Sequence, residues 1–139
     1  MFKELGTYVW LTVCALVFLS VSAMSFGATL PENTTAALAG AATFTSDTYE
    51  IGNFSTVVVM TESSHDSAAG GVMIDQSFDT DCVTATSPTF QYTSSFTYTA
   101  TAGKVYAAAA VGKCFRVRYT NGGTLQTTFD LTTNLWGGR

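Results

Sequence analysis

Two patterns of apolar and polar residues divide this chain, and the change between them falls near residue 31. From residue 5 to residue 31 no side chain is charged, and the centre of the run reads TYVWLTVCALVFLSVSAMSFGATL. A helix that crosses a bilayer needs about 20 predominantly apolar residues, so residues 7–30 predict a single N-terminal transmembrane α-helix. Leu11, Val13, Leu16, Val17, Phe18 and Leu19 form its apolar body. Tyr8 and Trp10 sit near one end, where amphipathic rings favour the headgroup zone. Lys3 and the α-amino group lie outside that end, which orients the N-terminus toward the cytoplasmic side. A cleaved signal peptide is the competing reading, with an apolar centre at residues 9–21 and small residues at Val21-Ser22-Ala23 before a cut. Glu4 in the leading segment favours retention, as does the apolar run that continues through Met24, Phe26 and Leu30. Both readings place the remainder of the chain beyond a membrane.

Residues 31–42 (PENTTAALAGAA) show no sustained period and read as a linker. From residue 43 to 139 the chain is rich in Thr, Ser, Val, Phe and Tyr, which suit a pleated, half-buried surface. Residues 55–62, centred on Val57-Val58-Val59, predict a strand buried on both faces. Residues 71–78, 90–92 and 96–100 are further strand candidates, and residues 105–111 (VYAAAAV) are ambiguous between strand and a marginal helix. In residues 114–120, Phe115, Val117 and Tyr119 share one face; in 124–132, Leu125, Phe129 and Leu131 do. Bringing those faces together predicts a hairpin, with Tyr119 opposite Leu125 and a loop at Asn121-Gly122-Gly123 whose glycines supply positive φ. That register sets Arg116 opposite Thr128 and diagonal to Asp130. Short strands with closely spaced turns predict an all-β, immunoglobulin-like sandwich, with a closed barrel as the alternative.

Composition narrows what such a module does. The 139 residues carry a formal net charge of −4, and only 12% are charged. Six basic residues against ten acidic ones leave no basic surface for nucleic acid. Cys14 falls in the apolar run, so Cys82 and Cys114 remain as a disulfide candidate in the exported part.

The segment CFRVRYTNGGTLQTTFDLTT resembles the closing hairpin of a β-sandwich module that recurs in virion proteins of bacterial viruses. Phe115, Arg116, Val117, Tyr119, Asn121, Gly122, Gln126, Thr127, Phe129 and Leu131 carry the resemblance. Residues 72–79 (VMIDQSFD) are similar to an earlier strand of that module, and the likeness ends at Thr80-Asp81-Cys82. Joined to a membrane span, it implies a minor structural protein of a lipid-containing virion. Its expected partners are the viral bilayer and capsid or spike proteins, in multiple copies and with no nucleic acid. The alternative is an exported cell-surface subunit, pilin-like or adhesive, without its leader.

Candidate chemistry is sparse, and no enzyme, cofactor or metal is expected. His65, the single histidine, stands between Ser64 and Asp66, where neighbours in one loop lack nucleophile–base–orienter geometry. Asp75, Asp79 and Asp81 could offer oxygen ligands but lack a calcium-loop spacing. Tyr92 and Tyr98, flanked by Thr and Ser, are candidate interface aromatics, and Arg116 and Arg118 form a small basic spot on one face of their strand, expected to pair with acids nearby or on a neighbouring subunit.

Overall fold

Alternation of side chains along extended backbone organises the chain beyond its N-terminal run. The computed structural model describes residues 34–82, 88–100 and 102–138. The proposed transmembrane helix at residues 1–30, including Tyr8, Trp10, Leu11, Val13, Leu16, Val17, Phe18 and Leu19, lies outside the described residues. Among the described residues, no helix is long and apolar enough to cross a membrane.

Eight strands are present: β1 (Thr43–Thr45), β2 (Tyr49–Glu50), β3 (Phe54–Ser63), β4 (Ser67–Ser77), β5 (Tyr92–Phe96), β6 (Lys104–Ala109), β7 (Cys114–Asn121) and β8 (Phe129–Gly138). They form two antiparallel sheets. One is five-stranded, in the order β1-β7-β4-β5 with β2 also on β7; the other is three-stranded, in the order β6-β3-β8. The chain is therefore all-β in its described part.

One core lies between the sheets. Val72 and Ile74 of β4 and Phe115, Val117 and Tyr119 of β7 meet Val57 and Val59 of β3, Ala108 of β6, and Phe129, Leu131 and Leu135 of β8. Aromatic pairs cross the gap: Tyr119 and Phe129 have ring centroids 4.7 Å apart, and Phe96 and Tyr106 5.1 Å. Two buried amides add polar ties. Gln76 Nε2 donates to the Ala109 carbonyl at 2.8 Å, while its Oε1 accepts from Val111 N–H at 2.8 Å. Gln126 Nε2 donates to Ser63 Oγ at 2.8 Å, and its Oε1 accepts from Leu38 N–H. Satisfied in this way, a buried amide costs little, whereas removing one partner leaves an expensive orphan.

Several expectations change. The strands β7 and β8 do not form a hairpin: β7 pairs with β1, β2 and β4, and β8 pairs with β3. Their apolar faces meet across the sandwich instead of side by side, and Phe115, Val117, Tyr119, Phe129 and Leu131 are buried in either arrangement. Leu125, assigned to the hairpin core, is 63% exposed in the segment that crosses between sheets. Neither Gly122 nor Gly123 has positive φ. A Cβ on Gly122 would stand 2.6 Å from the Asp66 carbonyl oxygen, so the glycine permits a close backbone approach. The strand β3 is buried on one face only: Val57, Val59, Thr61 and Ser63 point inward, while Val58 and Met60 are more open. Residues 90–92 and 96–100 give one strand, β5, across the gap between them. The alanine-rich stretch forms β6, held to β3 from Thr61↔Lys104 to Thr56↔Ala109.

Residues 34–42 of the expected linker are docked. Thr34 and Leu131 exchange two backbone hydrogen bonds, at 3.2 and 3.1 Å. Ala41 N–H donates to the Gly122 carbonyl, and Asn121 N–H to that of Ala42. Asn121 Nδ2 donates to the carbonyls of Leu38, Ala39 and Thr124. Leu38 packs against the core.

Candidate interaction surfaces

The two sheets turn very different outer faces to solvent. On the five-stranded sheet, register places Asp75 of β4 between Arg116 of β7 and Thr93 of β5, with Arg118 two pairs along, opposite Met73. Arg118 Nε donates to Asp75 Oδ2 at 2.6 Å and its Nη2 to Oδ1 at 3.0 Å, a bidentate fork. Arg116 Nε adds a bond to Oδ2 at 3.0 Å, and Thr93 Oγ1 one to Oδ1 at 2.8 Å. Phe90 covers the cluster, with the Arg116 guanidinium carbon 4.0 Å from its ring centroid.

Burial acts to raise the Asp75 pKa, but the bonds from Arg118, Thr93 and Arg116 and the charge of Arg118 outweigh it. The carboxyl is held below its ordinary value, while the bond to Asp75 raises Arg118. The basic spot is thus an internal ion lock, and its acid is Asp75. The diagonal pairing expected with Asp130 does not form, because Asp130 lies on the other sheet opposite Glu62.

Beside this lock, the disulfide Cys82–Cys114 closes a sequence separation of 32 and anchors the segment after β4 against β7. Asp79 Oδ2 accepts from Thr89 N–H at 2.7 Å and Ser77 Oγ–H at 3.0 Å, which fixes the return of the same excursion. Asp75 and Asp79 therefore stand in separate roles, and among the described residues no group of three or more His, Cys, Asp or Glu could hold a metal ion.

Tyr98 is not an interface residue. It is fully buried, and its hydroxyl accepts from Ser63 N–H at 3.0 Å and donates toward the Ser63 carbonyl. Tyr92 is 45% exposed at the end of β5. His65 Nδ1 is 3.0 Å from Ser64 Oγ, but that hydroxyl oxygen also accepts from Thr127 and Thr128 N–H. Asp66 Oδ1 accepts from Ala100 N–H at 2.6 Å. The Ser-His-Asp run is a turn fastened to its neighbours.

The outer face of β6-β3-β8 has no comparable lock. Met60, Val105 and Trp136 are exposed on it; Val58, Ala107 and Ala109 share the face, and so do the polar Thr56, Thr132 and Asn134. The register aligns Val105 with Met60, Ala107 with Val58, and Thr56 with Trp136. Glu62 and Asp130 face each other at one end. No sequence reading singled out this face. The signal was available in the outward parity of Val58, Met60, Val105 and Trp136.

Comparison with known proteins gives a fold neighbour and a family. The crystal structure of PBSX exported protein XepA is similar, with a TM-score of 0.61 and 16% sequence identity. The match covers 84% of this chain and 38% of that one, so the chain spans well under half of its neighbour's length. At that identity the likeness is one of fold. No curated protein matches the sequence. The family model described as "Uncharacterised protein YqxG N-terminal domain" matches residues 19–136, and the chain belongs to that family.

Proposed function

We propose that this chain is a non-enzymatic, membrane-anchored structural protein of a lipid-containing virion. Its N-terminal run would hold it in the viral membrane, while an immunoglobulin-like sandwich packs in copies against capsid or spike proteins. The observation that carries the reading is an uncharged stretch from residue 5 to 31 set directly before a docked two-sheet module. Two further features support it. The polar clusters around Asp75, Asp79 and His65 are engaged in internal bonds, leaving surfaces as what the module offers. The fold neighbour is described as an exported protein.

Fractionation of purified virions tests this reading. The protein should be present and should leave the particle only when detergent dissolves the membrane. Its absence from virions, or its release by high salt alone, would overturn the assignment.

A second reading is an exported surface subunit that has lost its leader. The word "exported" in the neighbour's description and the disulfide both favour it. An intact mass lacking residues 1–23 would select it.

A further inference from the structure

We propose that the outer face of β6-β3-β8 rests on a zwitterionic lipid surface, so that the module lies against the membrane on its three-stranded sheet. The inference deepens the membrane-anchored reading and rests on it. Trp136, Val105 and Met60 are 65%, 63% and 46% exposed, and all three stand on this one face. Apolar groups gathered on an outer sheet face need a cover. Tryptophan is the side chain that most favours the boundary between headgroups and acyl chains.

The tether places that boundary nearby. Thr34 is bonded to Leu131 in β8 of this same sheet, through both backbone hydrogen bonds of the pair. Only Pro31, Glu32 and Asn33 separate it from Leu30, the end of the apolar run. Four residue steps reach at most about 14 Å of extended chain. A stem in the bilayer therefore holds the Leu131 end of β8 near the headgroups, and a sheet lying flat from that point brings Trp136, five residues further along β8, down to the same level. The five-stranded sheet has its own outer face occupied by the Asp75–Arg116–Arg118 lock.

Charge and size set the kind of surface. The facing carboxylates of Glu62 and Asp130, with a formal net charge of −4, disfavour an anionic membrane. A second copy fits less well. Three strands about 4.8 Å apart and seven residues long cover roughly 300–400 Å². A stable protein interface needs about 800 Å² per partner.

The two tryptophans, Trp10 and Trp136, provide the test in the full chain. In the Trp10→Phe variant only Trp136 emits, and in Trp136→Phe only Trp10 does. Each is reconstituted into phosphatidylcholine vesicles whose acyl chains carry bromine, a contact quencher. The proposal expects Trp136 emission to shift to shorter wavelength and to lose most of its intensity relative to unbrominated vesicles. Adding Met60→Asp and Val105→Asp to the Trp10→Phe chain should restore that intensity. Unquenched Trp136 with quenched Trp10 would overturn the lipid face and leave the anchor standing. If neither is quenched, the anchor reading fails as well. A blue shift of Trp136 without quenching, growing with protein concentration, would assign the face to a second copy and overturn the proposal.

Discussion

The outer faces of the two sheets solve the same problem in opposite ways. An outer position on a sheet must be either wet or covered. On the five-stranded sheet Asp75, nearly fully buried, is covered by the side chains that neutralise it: two guanidinium groups, a threonine hydroxyl, and Phe90 above Arg116. Among the described residues the three-stranded sheet has no such cover, and it leaves a tryptophan, a valine and a methionine exposed. One face is internally satisfied and belongs to the stability of the module; the other is unsatisfied and belongs to its contacts. Ion locks of this kind are costly to break, because removal of one partner strands charges already withdrawn from water.

Substitutions that respect this division should separate stability from attachment. Two effects should be largest and of similar size, and one belongs to the covalent part of the locked face. Replacing Cys82 and Cys114 together with Ser should cost about 3–4 kcal/mol, the loop-closure value for a separation of 32 residues. A denaturant midpoint measured with and without reductant checks it; no shift would mean that the bridge constrains nothing. Tyr98→Ala is the other, at about 3–5 kcal/mol, since it empties a fully buried aromatic site and orphans its hydrogen-bond partners.

Asp75→Asn should cost about 2–3 kcal/mol, less than a wholly buried pair because both arginines are about 30% exposed and regain water. The pH dependence has a definite sign. Asp75 has a depressed pKa in the folded chain, so its contribution is complete above the unfolded value of 3.8 and is lost as pH falls below it. A urea titration between pH 7 and pH 2.5 should show that loss in the native chain and a smaller one in Asp75→Asn. Equal acid sensitivity would remove the lock from the account. The smallest stability effect is expected on the open face, where Val105→Thr with Met60→Thr should stay within about 0.5 kcal/mol of the native chain.

Alternation was enough to place Phe115, Val117, Tyr119, Phe129 and Leu131 on apolar faces, and all five are buried in the core. It was not enough to say what each face meets. In a sandwich, two inward faces look alike whether the strands are neighbours in one sheet or opposite one another in two. Asn121-Gly122-Gly123 carried the chemistry of a tight turn, yet Gly122 serves a close approach to Asp66 and the chain then crosses to the other sheet. Leu125 was misplaced by the same step. Tyr98 was read through its Thr neighbours, although Phe96 at the same parity marked the inward side of that segment. The ion lock was half legible: Arg116 and Arg118 stood out as a pair, but their acid sits some forty residues earlier, beyond the reach of local pattern. Gln76 and Gln126 bridge distant segments, and nothing in their immediate surroundings marks them as buried.

Attachment to a membrane depends on the stem remaining part of the mature chain. Intact-mass measurement of the protein recovered from purified particles tests that most directly. The account predicts a species that keeps residues 1–23 and carries the Cys82–Cys114 bridge, whose two missing hydrogens return on reduction. A species beginning after Ala23 would contradict it, and would turn this module into an untethered export product.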